Sequence, residues 1–261
     1  GVAANNTQDG MSLIRTADSA MNSVSNILLR MRDLANQSAN GTNTNENQAA
    51  LNKEFDALKE QIDYISTNTE FNDKKLLDGS NKTIAVQTLD NADTSKQINI
   101  NLSNVSTKEL GLDTLSIGTE KVEKTVYDAT TKAFADLGAK TGTDKAAFAA
   151  DVTAAMKEFD KVKPFMSADD VKKIETKLED YNKANDAGAQ AAAQALGKEF
   201  ATLTKLETTD LKANASGAIA SIDTALKNIA SNRATLGATL NRLDFNVNNL
   251  KSQSSSMASA A

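Results

Sequence analysis

The sequence has 261 residues and a net charge of −5, and it contains no Cys, no His, no Trp and a single Pro. Without His and Cys, the usual nucleophile and base pairs, zinc sites and thiol redox centres are excluded, although carboxylate or lysine catalysis is not. The acidic balance and an aromatic content of 4% argue against nucleic-acid binding. No apolar stretch approaches the length of a membrane span, so we expect no membrane partner. We also expect no cofactor.

Apolar residues at alternating spacings of three and four predict a first helix over residues 8–37. Gly41 and the surrounding Asn and Thr residues then break the helix. A second helix over residues 45–66, capped by Asn45 with Gln48, is predicted to fold back as an antiparallel partner. The first stripe consists of Ile14, Ala17, Met21, Val24, Leu28, Met31 and Ala35, and the second of Leu51, Phe55, Leu58, Ile62 and Ile65.

Alternation with a period of two on both sides of a polar turn predicts a β-hairpin over residues 83–102, with its apolar face on the helices. The turn at residues 90–95 contains acidic and amide side chains that suggest calcium. It lacks the Gly and the distal Glu of an EF-hand loop, so a simple hairpin turn is the better interpretation.

From about residue 119 to residue 206 the composition shifts to Ala and Lys, with helix stops at Gly138, Gly142 and Pro164. Four helices are predicted there, over residues 120–137, 144–162, 168–181 and 187–203. Ser167 with Asp170 forms a plausible capping pair for the third. The segment is therefore predicted to fold as a small helical bundle.

A last helix is predicted over residues 216–257, about 60 Å long at 1.5 Å per residue. Its stripe is interrupted at Arg233 and comprises Ile219, Ile222, Leu226, Ile229, Leu236, Leu240, Leu243, Val247 and Leu250. A stripe of this length argues for packing against another long helix. The predicted fold is mainly α with a small β part: an elongated rod of three long helices and a β-hairpin, carrying an inserted helical domain.

The rod sequence resembles bacterial flagellin. The matching stretches are NTQDGMSLIRTA at 6–17, RMRDLANQSANGT at 30–42, TEFN at 69–72, KLL at 75–77, RATLGA at 233–238 and NRL at 241–243. The resemblance implies a structural subunit of the flagellar filament and not an enzyme. It also implies a rod domain, D1, over residues 1–117 and 208–261, and a variable D2-like insertion over residues 118–207.

Flagellins also carry terminal segments that line the filament channel, and this chain is expected to lack them. The implied partners are other flagellin subunits and, through the missing ends, an export chaperone and the filament cap. On this expectation the fragment is monomeric and incompetent for assembly. The implied location is the extracellular flagellum, reached without a cleavable signal peptide.

On sequence alone, the charged residues near the end of the first helix indicate a helix face exposed to solvent. The resemblance implies instead that this surface is recognised by Toll-like receptor 5 and packs against a neighbouring subunit. Leu34 is expected to be an exposed apolar contact, and Leu29 departs from the Gln common at its position. The candidate residues are Arg30, Leu34, Glu54, Gln37, Arg32 and Asp33.

Two alternatives remain open. The rod pattern alone would also permit a coiled-coil adhesin or an appendage tip protein. An enzymatic insertion of the zinc metallopeptidase type is nearly removed, because such a site needs a His-Glu-x-x-His helix and the chain has no His.

Overall fold

The computed structural model describes residues 2–40, 44–88 and 97–260, except for the side chains of residues 3, 4, 250, 251 and 253–260. Gly41, the predicted turn at residues 90–95 and the Leu250 side chain lie outside what is described. The chain divides into two compact units. The first comprises Gly1–Asn43, Ala50–Ile117 and Asn214–Ala261, and the second Thr44–Ala49 and Gly118–Ala213.

Helices dominate the described residues. The α-helices are α1 (Val2–Ala39), α2 (Asn45–Asn68), α3 (Lys124–Ala139), α4 (Ala146–Val162), α5 (Ala168–Lys183), α6 (Asp186–Glu199) and α7 (Ala215–Ala260). The strands are β1 (Glu70–Phe71), β2 (Lys74–Lys75), β3 (Thr83–Gln87), β4 (Gln97–Asn101), β5 (Val122–Glu123) and β6 (Thr208–Thr209). The mainly α fold with a small β part is confirmed.

In the first unit, α1 and α7 pack side by side in opposite directions. The Thr7 hydroxyl donates to the Asn246 side-chain oxygen at 3.4 Å, whereas Arg32, near the other end of α1, pairs with Asp223 at 3.1 Å. Residues later in α1 therefore face residues earlier in α7, as expected for antiparallel helices. The predicted stripes lie in this contact, and Ala17, Leu28 and Ile229 are each 0% exposed.

Arg233 interrupts the α7 stripe because it reaches across to α1. Its Nε donates to Asp18 Oδ1 at 2.8 Å and its Nη2 to Asp18 Oδ2 at 3.3 Å, while Nη1 reaches the Asn22 side-chain oxygen at 3.1 Å. The hydrogen bonds to Asp18 raise the pKa of the Arg233 guanidinium. The interruption is thus a polar link between the two long helices.

The second helix packs its stripe into the same core, where Phe55 and Ile62 are fully buried. Its cap differs from the prediction. The Thr44 hydroxyl accepts from the Asn47 backbone N–H at 3.1 Å and the Thr44 carbonyl accepts from Gln48, so Thr44 and not Asn45 caps α2.

The predicted β-hairpin is confirmed. Strands β3 and β4 pair antiparallel, with Thr83 opposite Asn101 and Gln87 opposite Gln97. Alternate residues point to the helices, as a period of two requires, and Ile100 is fully buried among side chains of α1 and α7.

The second unit is a bundle of α3, α4, α5 and α6 around a separate apolar core. Phe134, Phe148 and Phe159 are each at most 1% exposed. The predicted cap of α5 is confirmed, because the Ser167 hydroxyl accepts from the Asp170 backbone N–H at 3.2 Å.

The chain returns to the first unit later than the sequence suggested. Strand β6 pairs in parallel with β5, which opens the second unit, and the Ala213 N–H donates to Glu123 Oε1 at 3.2 Å. The Asn214 N–H already bonds the Ser116 carbonyl at 2.8 Å, within the first unit. The return therefore falls at 213/214 and not at 207/208.

Candidate functional surface

Five of the six predicted site residues lie near the carboxyl end of α1, Glu54 lies on α2, and the six do not form one cluster. At 100° per residue, Arg30, Asp33 and Gln37 lie within about 60° of one another on the outward face. Arg32 lies about 200° from Arg30, so its side chain leaves the opposite side of the helix. The geometry therefore gives Arg30, Arg32 and Leu34 three different environments.

The first environment is an ion pair between α1 and α2. Arg30 Nη2 lies 2.8 Å from Glu54 Oε1, and Arg30 Nε donates to the same oxygen at 2.9 Å. The two side chains are 48% and 45% exposed, so the pair is accessible to a partner. An exposed pair of this kind contributes only about 0.2–1 kcal/mol to folding. Its guanidinium and carboxylate are consequently free to exchange their mutual contact for contacts with another molecule at small cost.

The second environment is the Arg32 pair with Asp223 of α7, joined at 3.1 Å. The pair is half-exposed, with 37% of the Arg32 side chain and 45% of the Asp223 side chain accessible. Because it lies on the far side of α1 from Arg30, it cannot take part in one small contact with Glu54. It links α1 to α7 instead.

The third environment is the core, and here the expectation for Leu34 is wrong. Leu34 is 0% exposed. The core cluster around α1 contains side chains of α2 and of residues 105–117 as well as of α7, so the buried arc of α1 is wider than one stripe. A second line at seven-residue spacing, consisting of Leu13, Ala20, Ile27 and Leu34, is buried or half-buried in the same cluster.

Leu29 is an exposed leucine that the sequence interpretation did not include among the candidate surface residues. It is 40% exposed, and it lies on the outward face with Arg30, Asp33 and Gln37. Leu29 lies in neither of the two apolar lines of α1, and this spacing in the sequence indicates that it is a surface residue. We call Leu29, Arg30, Asp33, Gln37 and Glu54 the α1 patch.

A second candidate surface is the pair of outward faces of α1 and α7. Of the 16 exposed residues of α1, four are charged, and of the 16 exposed residues of α7 as far as Asn249, three are charged. On α5, in contrast, seven of ten exposed residues are charged. Ordinary solvated helices carry charge, whereas surfaces covered by a partner are depleted in it. We call these two faces the α1–α7 face.

Among the described residues, no helix is long and apolar enough to cross a membrane. Within the same residues, no group of three or more acidic side chains is placed to hold a metal ion.

The comparisons with known proteins agree with one another. A family model described as the bacterial flagellin N-terminal helical region matches residues 1–82, and one for the flagellin C-terminal helical region matches residues 219–261. The chain is 31% identical to a flagellin of Clostridium tyrobutyricum over 280 residues, covering 99% of this chain and 74% of that protein. It is also 31% identical to polar flagellin F of Vibrio parahaemolyticus, covering 95% of this chain and 69% of that protein. The crystal structure of Bacillus cereus flagellin is 30% identical, with a TM-score of 0.49 over 99% of this chain and 95% of that chain.

Proposed function

The chain belongs to the flagellin family, the structural subunits of the extracellular flagellar filament, and from that premise we propose that its α1–α7 face is the surface buried between subunits. The single observation that carries the proposal is the low charge of that face. Its small and amide side chains, such as Ala234, Ala238 and Asn241, allow a neighbouring helix to approach without burying unpaired charges.

The division of labour follows the two units. The first unit supplies the rod, D1, and the second unit is the variable insertion, whose charged α5 surface stays in solvent. The protein acts as a structural element and not as an enzyme. Export without a cleavable signal peptide, through contacts of terminal segments with a chaperone and the filament cap, belongs to the same proposal.

Footprinting tests the filament surface. Hydroxyl radicals oxidise accessible side chains, so native filaments and depolymerised subunits are compared at Phe245 on α7 and at Met166 and Tyr127 in the second unit. Protection of Phe245 in filaments, with Met166 and Tyr127 equally labelled in both states, is the expected pattern. Equal labelling of all three in both states would overturn the proposal.

A second function is favoured by the α1 patch. We propose that Toll-like receptor 5 of a host recognises it, with Arg30 and Glu54 as the polar contacts and Gln37 and Asp33 as support. Leu29 takes the apolar role once assigned to Leu34, because only Leu29 is exposed. An accessible Arg beside an apolar side chain is the composition that dominates many interfaces.

Titration of the protein against the receptor ectodomain tests this second function. Arg30→Ala and Glu54→Ala should each weaken binding by about 1–3 kcal/mol. Arg32→Ala is the matched control, because Arg32 lies on the opposite side of α1, and it should change binding little. A folded parent that does not bind, or equal losses for Arg30→Ala and Arg32→Ala, would contradict the assignment.

A further inference from the structure

The outward face of α7 carries one large aromatic side chain. Phe245 is 75% exposed, more than any other large apolar residue of the described chain. Its helical neighbours include Arg242 and Asp244, both exposed. Neither makes an ion pair or side-chain hydrogen bond with any residue that the structure describes. A partner that covers this phenyl ring gains the free energy of burying its apolar surface. The three residues together are called the α7 knob.

The same unit has a groove between α1 and α7, some two turns from the knob along the helix. The groove has a volume of about 440 Å³. Its floor is made of small or apolar residues, and a Cβ added to Gly237 would meet nothing within 4 Å. The lining residues are Ile14, Arg15, Asp18, Ala230, Arg233, Ala234, Gly237 and Leu240. An aromatic ring fits this shape and chemistry.

The charges around the knob and around the groove are complementary. Arg15 stands at the groove and has no ion pair or side-chain hydrogen bond within the described chain, as is also true of Asp244 at the knob. Asp18, also at the groove, already holds Arg233 at 2.8 Å. Arg15 is therefore the charge left for an incoming carboxylate, and its guanidinium can also stack over an aromatic ring.

We propose that the Phe245 ring of one subunit inserts into the α1–α7 groove of another copy of this chain, with Asp244 paired to Arg15 across the contact. The proposal rests on the filament function. The low charge of the α1–α7 face indicates that the face is buried between subunits, and the proposal specifies which residues meet there. Knob and groove are different patches of one surface, so the contact is heterologous. Repeated heterologous contacts form a ring if the rotation between subunits closes, and an open helical filament if it does not.

Another groove of the first unit fits the knob less well. It is formed by Arg15, Ser19, Asn68 and Glu70 among others, and its lining side chains are mostly polar. Tyr64 is likewise exposed, at 70%, but five of the 12 exposed residues of α2 are charged, against three of 16 on α7 as far as Asn249. Phe245 and the α1–α7 groove are the matched pair.

A charge swap tests the pairing in filaments assembled from this protein. Asp244→Arg and Arg15→Asp should each raise the critical concentration for polymerisation about tenfold or more. The double variant Asp244→Arg with Arg15→Asp should recover most of that loss, because the pair is restored with its signs exchanged. Single variants that polymerise like the parent, or a double variant no better than either single one, would overturn the pairing.

A cross-link tests the insertion itself. The chain has no natural Cys, so Phe245→Cys and Gly237→Cys subunits can be mixed, assembled and oxidised. A disulfide-linked dimer containing both variants is expected, and Tyr64→Cys with Gly237→Cys is the matched control that should not cross-link. Filaments without the 245–237 dimer would refute the inference and leave the filament function standing. A parent that never forms filaments would refute both.

Discussion

Gly138 and Gly197 face each other where α3 packs against α6. A Cβ built on Gly197 would lie 2.6 Å from the Gly138 Cα and 2.6 Å from the Phe134 carbonyl oxygen, closer than real Cβ atoms approach. The atoms in the way belong to backbone, which cannot turn aside as a flexible side chain can. The close approach of the two helices therefore depends on glycine at this position.

Gly197→Ala should accordingly destabilise the second unit by about 1–3 kcal/mol, the usual cost of overpacking. Gly188→Ala is the matched control in the same helix, because the nearest atom to an added Cβ there is 3.5 Å away. It should be neutral or stabilising, since Ala favours helix by up to about 1 kcal/mol. Chemical unfolding followed by circular dichroism measures both. Equal effects of the two substitutions would contradict the packing.

Leu34 and Leu29 should respond in opposite ways. Leu34→Ala removes a fully buried side chain and should cost about 2–5 kcal/mol of stability in the first unit. Leu29→Ala alters an exposed position and should stay within about 0.5 kcal/mol, while it weakens receptor binding. Urea unfolding and a binding titration separate the two effects. A stable Leu34→Ala variant would show that this side chain is not in the core.

This pair also shows how far the sequence alone leads. The three-and-four spacing predicts α1, α7 and their contact, because a long stripe needs a long partner. It cannot tell how many elements surround a helix. The core around α1 holds side chains of more elements than α7 alone, so the exposure expected for Leu34 is wrong. The seven-residue line through Leu13, Ala20, Ile27 and Leu34 carries that information. The position at which the chain returns to the first unit is also not predictable from the sequence. It depends on the pairing of β5 with β6, and two-residue strands are too short to leave a periodic pattern.

Tyr181 should make the second unit sensitive to alkali. Burial raises the pKa of its phenol above the ordinary value of 10.0, and the hydroxyl donates to the Lys145 carbonyl at 3.1 Å. Because the folded state favours the neutral phenol, Tyr181 contributes fully to the free energy of unfolding at pH values below the pKa of its phenol in the unfolded chain. The contribution is lost as the pH rises from about 10 through the higher folded pKa.

Unfolding of the second unit at pH values from about 9 to 11.5 measures this dependence. Tyr181→Phe should lower the stability at pH 9 by about 0.5–1.5 kcal/mol through the lost hydrogen bond, and should flatten the decline above pH 10. Tyr64→Phe, at a 70% exposed position, is the control and should change neither. A decline of unchanged slope in Tyr181→Phe would assign the alkaline sensitivity to other groups.

The Arg233 link between α7 and α1 should be worth little despite its good geometry. Both side chains are partly exposed, Arg233 at 33% and Asp18 at 39%, so water screens the pair. Arg233→Ala should cost about 1 kcal/mol at low salt, and less at 1 M salt. Arg242→Ala, which removes an exposed Arg without an ion pair among the described residues, should cost almost nothing. A loss for Arg233→Ala that does not shrink with salt would point to packing of its aliphatic stem instead.

The most direct test of the structural role is where the protein lies on the cell. Gold-labelled antibody against the second unit is applied to intact flagella and viewed by electron microscopy. A structural subunit predicts gold along the whole length of each filament, with thousands of copies per flagellum. Gold confined to the filament tip, on filaments built from another protein, would contradict the account and indicate an appendage tip protein or adhesin instead.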